Sequence, residues 1–244
     1  MNAAPLVPPA DAVRVWRGFR AASMAQPDFY ARLQGVFIPA TVELQIKVGL
    51  SAYVPSVSAG LPDKPDTVPD ETAILFWESQ PTYRDAFKTL AVRTYTLTHA
   101  AVYTPASGAD FPTLFAGRLE ANKPTYLVEQ PADWMRAPVR HFLGSRRSDV
   151  SPETFRDQLA TALGVAQQSR AGAIACAGDD YVAYWELGSG PPDTFDALAR
   201  CSDWSTVLAA APTELQGGLW DAWPGLQLKP GDSLNLQFRR RSEQ

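Results

Sequence analysis

Ile74-Leu75-Phe76-Trp77-Glu78 recurs 108 residues later as Val182-Ala183-Tyr184-Trp185-Glu186. Each is an apolar, aromatic-rich run ending in Trp-Glu, and each reads as a strand buried on both faces. A proline-opened helical segment follows each, Pro81 to Phe87 in the first case and Pro192 to Leu198 in the second. Other anchors keep the same order. Val13-Arg14-Val15-Trp16-Arg17-Gly18 matches Val139-Arg140-His141-Phe142-Leu143-Gly144 at an offset of 126, and Lys123-Pro124 and Lys229-Pro230 each precede a strand-like run. The smaller offset at Trp-Glu has a source in the Pro-rich stretch from Pro55 to Pro69, a long loop found only in the first copy. Collinear order across these anchors points to an internal duplication.

Within each copy the order of elements is β-α-β-β-α-β. In the second copy Val139–Gly144 is a strand and Ser151-Pro152 opens a helix whose apolar face is Phe155, Leu159, Leu163 and Ala166. Two strands follow around the turn Gly178-Asp179-Asp180, then a helix from Pro192, and Ser233–Arg239 is the last strand. The first copy predicts strands over Val13–Phe19, Leu44–Val54, Thr72–Glu78 and Pro124–Gln130. Its helices cover Asp28–Phe37 and a segment from Pro81. Between the second helix and the last strand each copy has room for a short extra helix. The expected organisation is an N-terminal arm over residues 1–12 and two ferredoxin-like units over 13–131 and 138–240. A single unit leaves one sheet face bare, at a cost of about 25 cal/mol per Å² of exposed apolar surface. Two units can close those faces against each other as an eight-stranded α/β barrel.

Composition narrows the function. The chain of 244 residues is 45% hydrophobic and 20% charged, with a net charge of −4. That is globular composition, and it lacks the concentrated basic face that nucleic acid needs. No apolar run approaches the roughly 20 residues that span a bilayer, and residues 1–11 lack the regions of a secretion signal. Cys176 and Cys201 have neither CxxC nor zinc-ligand spacing. The expectation is a cytoplasmic protein, monomer or homodimer, whose partner is a small hydrophobic metabolite rather than nucleic acid or membrane. GxGxxG, GxxxxGK[ST], GxSxG and HExxH motifs are absent, and two His with two isolated Cys make a poor metal set.

The twofold β-α-β-β-α-β pattern resembles the dimeric α/β-barrel superfamily, here as an intramolecular tandem. Val139-Arg140-His141-Phe142-Leu143 is similar to the first strand of its stress-responsive and polyketide-cyclase branch. Leu75-Phe76-Trp77-Glu78-Ser79 resembles the third strand of these and of EthD-like proteins. The resemblance implies a buried cavity and cofactor-free chemistry on a reactive aromatic: cyclisation, isomerisation, elimination or oxygenation. Other members of the superfamily bind haem, or have no known chemistry.

Histidine is scarce, with only His99 and His141 present. His141 replaces a plain Val15 of the first copy, and an imidazole there suits acid/base work near neutral pH; the plainer reading is a buried, hydrogen-bonded core histidine. Glu78 and Glu186 occupy matching positions and could act as a paired acid and base, although symmetry is equally what a structural role produces. Tyr184 is a candidate assistant in catalysis, and Tyr126 and Arg140 could steady an oxyanion or bind a carboxylate. Trp77, Trp185, Phe76, Tyr126 and His99 are candidate substrate contacts, with His99 also readable as a surface or capping residue. Strand alternation puts Arg140 opposite His141, and Trp185 opposite Glu186. The leading expectation is an enzyme without an organic cofactor that moves protons on an aromatic or polyketide-like molecule. The alternatives are a non-catalytic binding protein for a hydrophobic metabolite and a haem enzyme ligated through His99 or His141.

Overall fold

The computed structural model describes residues 12–127, 134, 137–166, 172–188, 192–215 and 226–238. The arm before Ala12, Glu129 and the basic run at 239–241 lie outside the described residues. The first unit runs β1 (Val13–Gly18), α1 (Gln26–Arg32), a π-helical segment (Leu33–Phe37), α2 (Ile38–Gln45), a 3₁₀ turn (Ile46–Val48), β2 (Leu50–Val57), β3 (Glu71–Trp77), α3 (Gln80–Ala86), α4 (Leu90–Thr98), a second 3₁₀ turn (His99–Ala101) and β4 (Gly108–Asp110). The short strands β5 (Thr113–Leu114) and β6 (Lys123–Tyr126) follow. The second unit is β7 (Val139–Arg146), α5 (Pro152–Ala166), β8 (Ala173–Ala177), β9 (Tyr181–Leu187), α6 (Pro192–Arg200) and β10 (Ser202–Ala210), followed by β11 (Pro212–Leu215) and β12 (Asn235–Phe238).

The two sheets have the orders β11-β12-β2-β3-β1-β4 and β10-β7-β9-β8-β6-β5. Each contains the ferredoxin-like set, β2-β3-β1-β4 in one and β8-β9-β7-β10 in the other. The fold is α+β, with two ferredoxin-like halves in one chain. The strands expected to end each unit are present but exchanged. β6 pairs with β8 of the second unit, and β12 pairs with β2 of the first. The fourth strand of each unit is an earlier segment, β4 or β10. In the first unit the anticipated extra helix is α4; in the second the described part of that stretch holds β10 and β11.

Closure differs from an eight-stranded ring. Hydrogen bonding runs in two separate six-stranded sheets, and the chain itself turns the corners. It leaves β4 in one sheet for β5 at the edge of the other, and leaves β10 for β11 in the opposite direction. Pro212 opens β11, where a strand needs no N–H from its first residue. Between the sheets lies an apolar layer that includes Val13, Val15, Val54, Ile74 and Phe76 from the first sheet. Leu143, Ile174, Ala183 and Trp185 meet it from the second. The outer faces pack on helices. Phe29, Leu33, Phe37, Leu75 and Trp77 make up one such core, and Phe142, Phe155, Leu159, Leu163, Tyr184 and Phe195 the other.

Two local readings change. Leu44–Val48 is helical rather than the start of a strand. The first-unit helix runs on through the π-helical segment, and the chain turns at Gly49, whose φ of 108° favours glycine. The Trp-Glu match is out of structural register. Val15 pairs with Ile74, whereas His141 pairs with Trp185. With Val15 and His141 equivalent, Trp185 answers Ile74, not Trp77. Side chains alternate along a strand, so an offset of three residues puts the two tryptophans on opposite sheet faces. Trp77 faces the helices and Trp185 the inter-sheet layer.

Candidate functional site

The larger of the described cavities lies between the first sheet and its own helices, not between the two sheets. Its volume of about 540 Å³ falls within the range typical of small-molecule sites. β1 contributes Arg14 and Trp16, β2 contributes Tyr53, and β3 contributes Glu71 and Leu75. The helical wall brings Phe37, Thr41, Tyr95 and His99, and Tyr103 and Thr104 close one end. The π-helical segment ends at Phe37, in the cavity wall; such insertions concentrate at functional sites. The corresponding space in the second unit is filled by Phe142, Phe155, Tyr184 and Phe195 under a regular fifteen-residue helix.

Glu71 is the carboxylate of this cavity, and it is 2% exposed. Trp16 Nε1 donates to its Oε2 at 3.0 Å, the Tyr103 hydroxyl donates to the same oxygen at 2.5 Å, and the Tyr53 hydroxyl donates to Oε1 at 3.2 Å. Burial pushes the Glu71 pKa up while the donors Tyr103, Trp16 and Tyr53 pull it back, and the net direction is upward. Tyr53 and Tyr103 are held well above the ordinary tyrosine value, first by burial and then by the Glu71 charge, so both stay protonated and donate. Gly18 makes the cluster possible. It pairs with Glu71 across β1 and β3, and a Cβ there would come within 2.6 Å of the Tyr103 ring and 2.9 Å of Trp16 Nε1.

His99 stands beside this cluster. Its ring lies nearly parallel to Tyr103 at 5.7 Å and meets Trp16, Phe37 and Tyr95 edge-on at 5.3, 4.9 and 4.8 Å. Burial lowers its pKa, so the imidazole is neutral near pH 7. Nδ1 lies 3.2 Å from the Tyr95 carbonyl, which can only accept; Nδ1 therefore carries the proton and Nε2 is the acceptor.

The other sequence candidates lie elsewhere. His141 is 1% exposed within the inter-sheet layer, stacked on Trp185 at 4.6 Å and 3.4 Å from Thr72 Oγ1. Its Nδ1 has no partner among the described residues, and burial lowers its pKa to about 3. Phe76 and Tyr126 share that layer, and Trp134 Nε1 donates to the Tyr126 hydroxyl at 3.2 Å. Glu186 pairs with Arg140 at 3.3 Å and accepts from the Tyr184 hydroxyl at 3.1 Å, on the helix face of the second sheet. Glu78 follows β3 of the first sheet next to Gly49 and is half-buried, whereas Glu186 belongs to β9 of the second sheet. Trp77 packs on Tyr83 at 5.1 Å, outside the cavity lining. The structure therefore brings His99 alone of the candidates into the cavity. Glu71 was missed because the expected strand began one residue later, at Thr72. The available signal was an acidic residue sharing the parity of Trp77 at the head of a fully buried strand.

Of the two histidines, His141 is closed in by Trp185 and the inter-sheet layer, whereas His99 lines the cavity with four aromatic rings around it. Among the described residues no cluster of three or more His, Cys, Asp or Glu could hold a metal ion, and no helix is long and apolar enough to cross a membrane.

No family model and no curated protein matches the chain. Solved structures do, at low identity and low TM-score. A Lactobacillus acidophilus protein provisionally named a monooxygenase is 7% identical, with a TM-score of 0.34 over 81% of this chain and 91% of its own. An anthrone oxidase-like protein is 11% identical, with a TM-score of 0.31 over 81% and 88%. Chlorite dismutase of Candidatus Nitrospira defluvii is 11% identical, with a TM-score of 0.33 over 78% and 82%. Likenesses at these TM-scores carry no argument about fold or activity.

Proposed function

We propose that the protein is a small-molecule enzyme whose site is the first-unit cavity, taking a flat, mainly apolar aromatic compound and moving a proton through Glu71. The observation that carries this reading is a deeply buried carboxylate in an aromatic-walled cavity, with its pKa raised and three donors aimed at it. A carboxylate of raised pKa is a stronger base than an ordinary one and better able to take a proton from a weak acid. The Tyr53 and Tyr103 hydroxyls orient the carboxylate, and the aromatic walls offer a flat apolar surface to a ring system. Neutral His99, with Nε2 as its acceptor nitrogen, could relay the proton onward. Proton abstraction from a carbonyl-activated C–H or a phenolic O–H is the first step shared by isomerisation, cyclisation and oxygenation of reactive aromatics.

Anthrone in deuterated buffer tests the step, because its flat tricyclic frame carries an acidic CH₂ group. Wild-type protein should speed deuterium uptake at that carbon above the buffer rate, and Glu71→Gln should reduce it at least a hundredfold, with the fold intact by circular dichroism. Undiminished exchange in Glu71→Gln overturns the proposal, as does failure of wild-type protein to accelerate exchange in any carbonyl-activated aromatic of this size.

A further inference from the structure

Arg14 lies in the same cavity, away from the Glu71 cluster. In the β1–β3 register Arg14 sits opposite Leu75, while Glu71 sits opposite Gly18. That is four residues along the strand, about 13 Å. The Arg14 guanidinium stacks over the Tyr83 ring at 4.2 Å, with Phe111 at 5.5 Å and Phe87 at 5.7 Å. Stacking fixes the plane of the group but uses none of its five N–H donors. Among the described residues the one acceptor it reaches is the Ala109 carbonyl, 2.7 Å from Nη2. Nε is shielded from solvent and has no partner. No carboxylate pairs with it: the nearby Asp110 is engaged by Arg17 at 3.1 Å. The half-buried guanidinium thus has no direct ion pair among the described residues, its support limited to the longer-range attraction of Asp110, and removing a charge from water is costly unless an opposite charge answers it closely.

We infer that Arg14 is an anion-binding residue and that the cavity takes an aromatic carboxylate, with its anionic end on Arg14 and its reacting end at Glu71. The inference rests on the cavity reading above and sharpens its substrate class. The plane of the guanidinium is fixed by the three rings, and a guanidinium beside apolar surface is the group best suited to hold a carboxylate through paired N–H donors. The slot between the two ends is lined by Trp16, Leu75 and Phe37, which suits a ring system rather than a flexible chain.

The test compares 2-naphthoate with its neutral isostere 2-naphthamide by isothermal titration calorimetry. Wild-type protein should bind the naphthoate about tenfold more tightly, since a hydrogen bond to a charged group is worth that much, and rising salt should erode that advantage and leave the amide unchanged. Arg14→Gln should bring the two affinities together, and Arg14→Lys should restore part of the preference. The salt comparison needs no variant, so a misfolded Arg14→Gln protein does not remove the test. Equal, salt-insensitive binding of both probes overturns the anion site and leaves the cavity reading standing. Failure of both probes to bind overturns both.

Discussion

Replacing His141 by the Val that the first unit carries at Val15 separates a proton-transfer role from a packing role. Three local terms oppose one another at neutral pH. The substitution relieves an unpaired buried nitrogen, worth about 1–3 kcal/mol, but it loses the parallel stack on Trp185, worth about 1 kcal/mol, and leaves a small void. The net change at pH 7 should lie within about 1 kcal/mol. Acid changes the balance. Above pH 6.5 the imidazole is neutral in both folded and unfolded chains and contributes nothing to the pH dependence. Below 6.5 the unfolded chain binds a proton that the native protein, with its pKa lowered to about 3, refuses. Wild-type stability therefore falls by about 1.4 kcal/mol per pH unit from this group alone, until the native pKa is reached. Val has no such term, so His141→Val should gain about 2.5 kcal/mol over wild type on going from pH 7 to about pH 4.5. Urea unfolding followed by far-ultraviolet circular dichroism at the two pH values measures it. Parallel loss of stability in both proteins refutes the buried neutral histidine. Loss of catalysed exchange in a stably folded His141→Val protein refutes its purely structural role.

The remaining expectations concern the cavity and the seam between the units. Tyr103→Phe removes the donor at 2.5 Å from Glu71, which raises the carboxyl pKa further; the acid limb of kcat/KM should move to higher pH by about one unit, and an unmoved limb refutes Glu71 as the base. Haemin added to purified protein should give no Soret band, and a band that disappears in His99→Ala would establish haem ligation. Arg17→Met should cost about 2–3 kcal/mol in chemical unfolding. Arg17 is 4% exposed and joins β1 to the other sheet, with Nη1 bonded to Cys176 Sγ at 3.1 Å and to the Asn122 carbonyl at 2.5 Å. A change below 0.5 kcal/mol, about the size of an ordinary surface substitution, would refute that role.

Local pattern was enough for the duplication, the helix of the second unit with Phe155, Leu159 and Leu163 on its buried face, the hairpin at Gly178-Asp179-Asp180, and the α+β class. All rest on short-range periodicity, which a linear chain displays directly. Which sheet a strand joins is a different kind of fact. β6 and β12 read correctly as strands, but their exchange between units depends on the edges free at β8 and β2, and those edges exist only once both sheets are built. Strand face is equally nonlocal. Trp77 and Trp185 share a sequence context, yet a three-residue difference in pairing sends one to the helices and the other to the inter-sheet layer. The cavity is the furthest from the sequence. Glu71, Tyr53, Tyr103, Trp16 and Arg14 come from three strands and a loop, and they meet because Gly18 leaves room and because the helices of the first unit stand off a face that Phe142, Phe155 and Tyr184 fill in the second. The sequence by itself determined the elements and their repetition, because those depend on neighbours along the chain. Only the tertiary structure decided that the first unit keeps a cavity between its sheet and its helices, because a cavity is set by what several distant side chains leave unfilled.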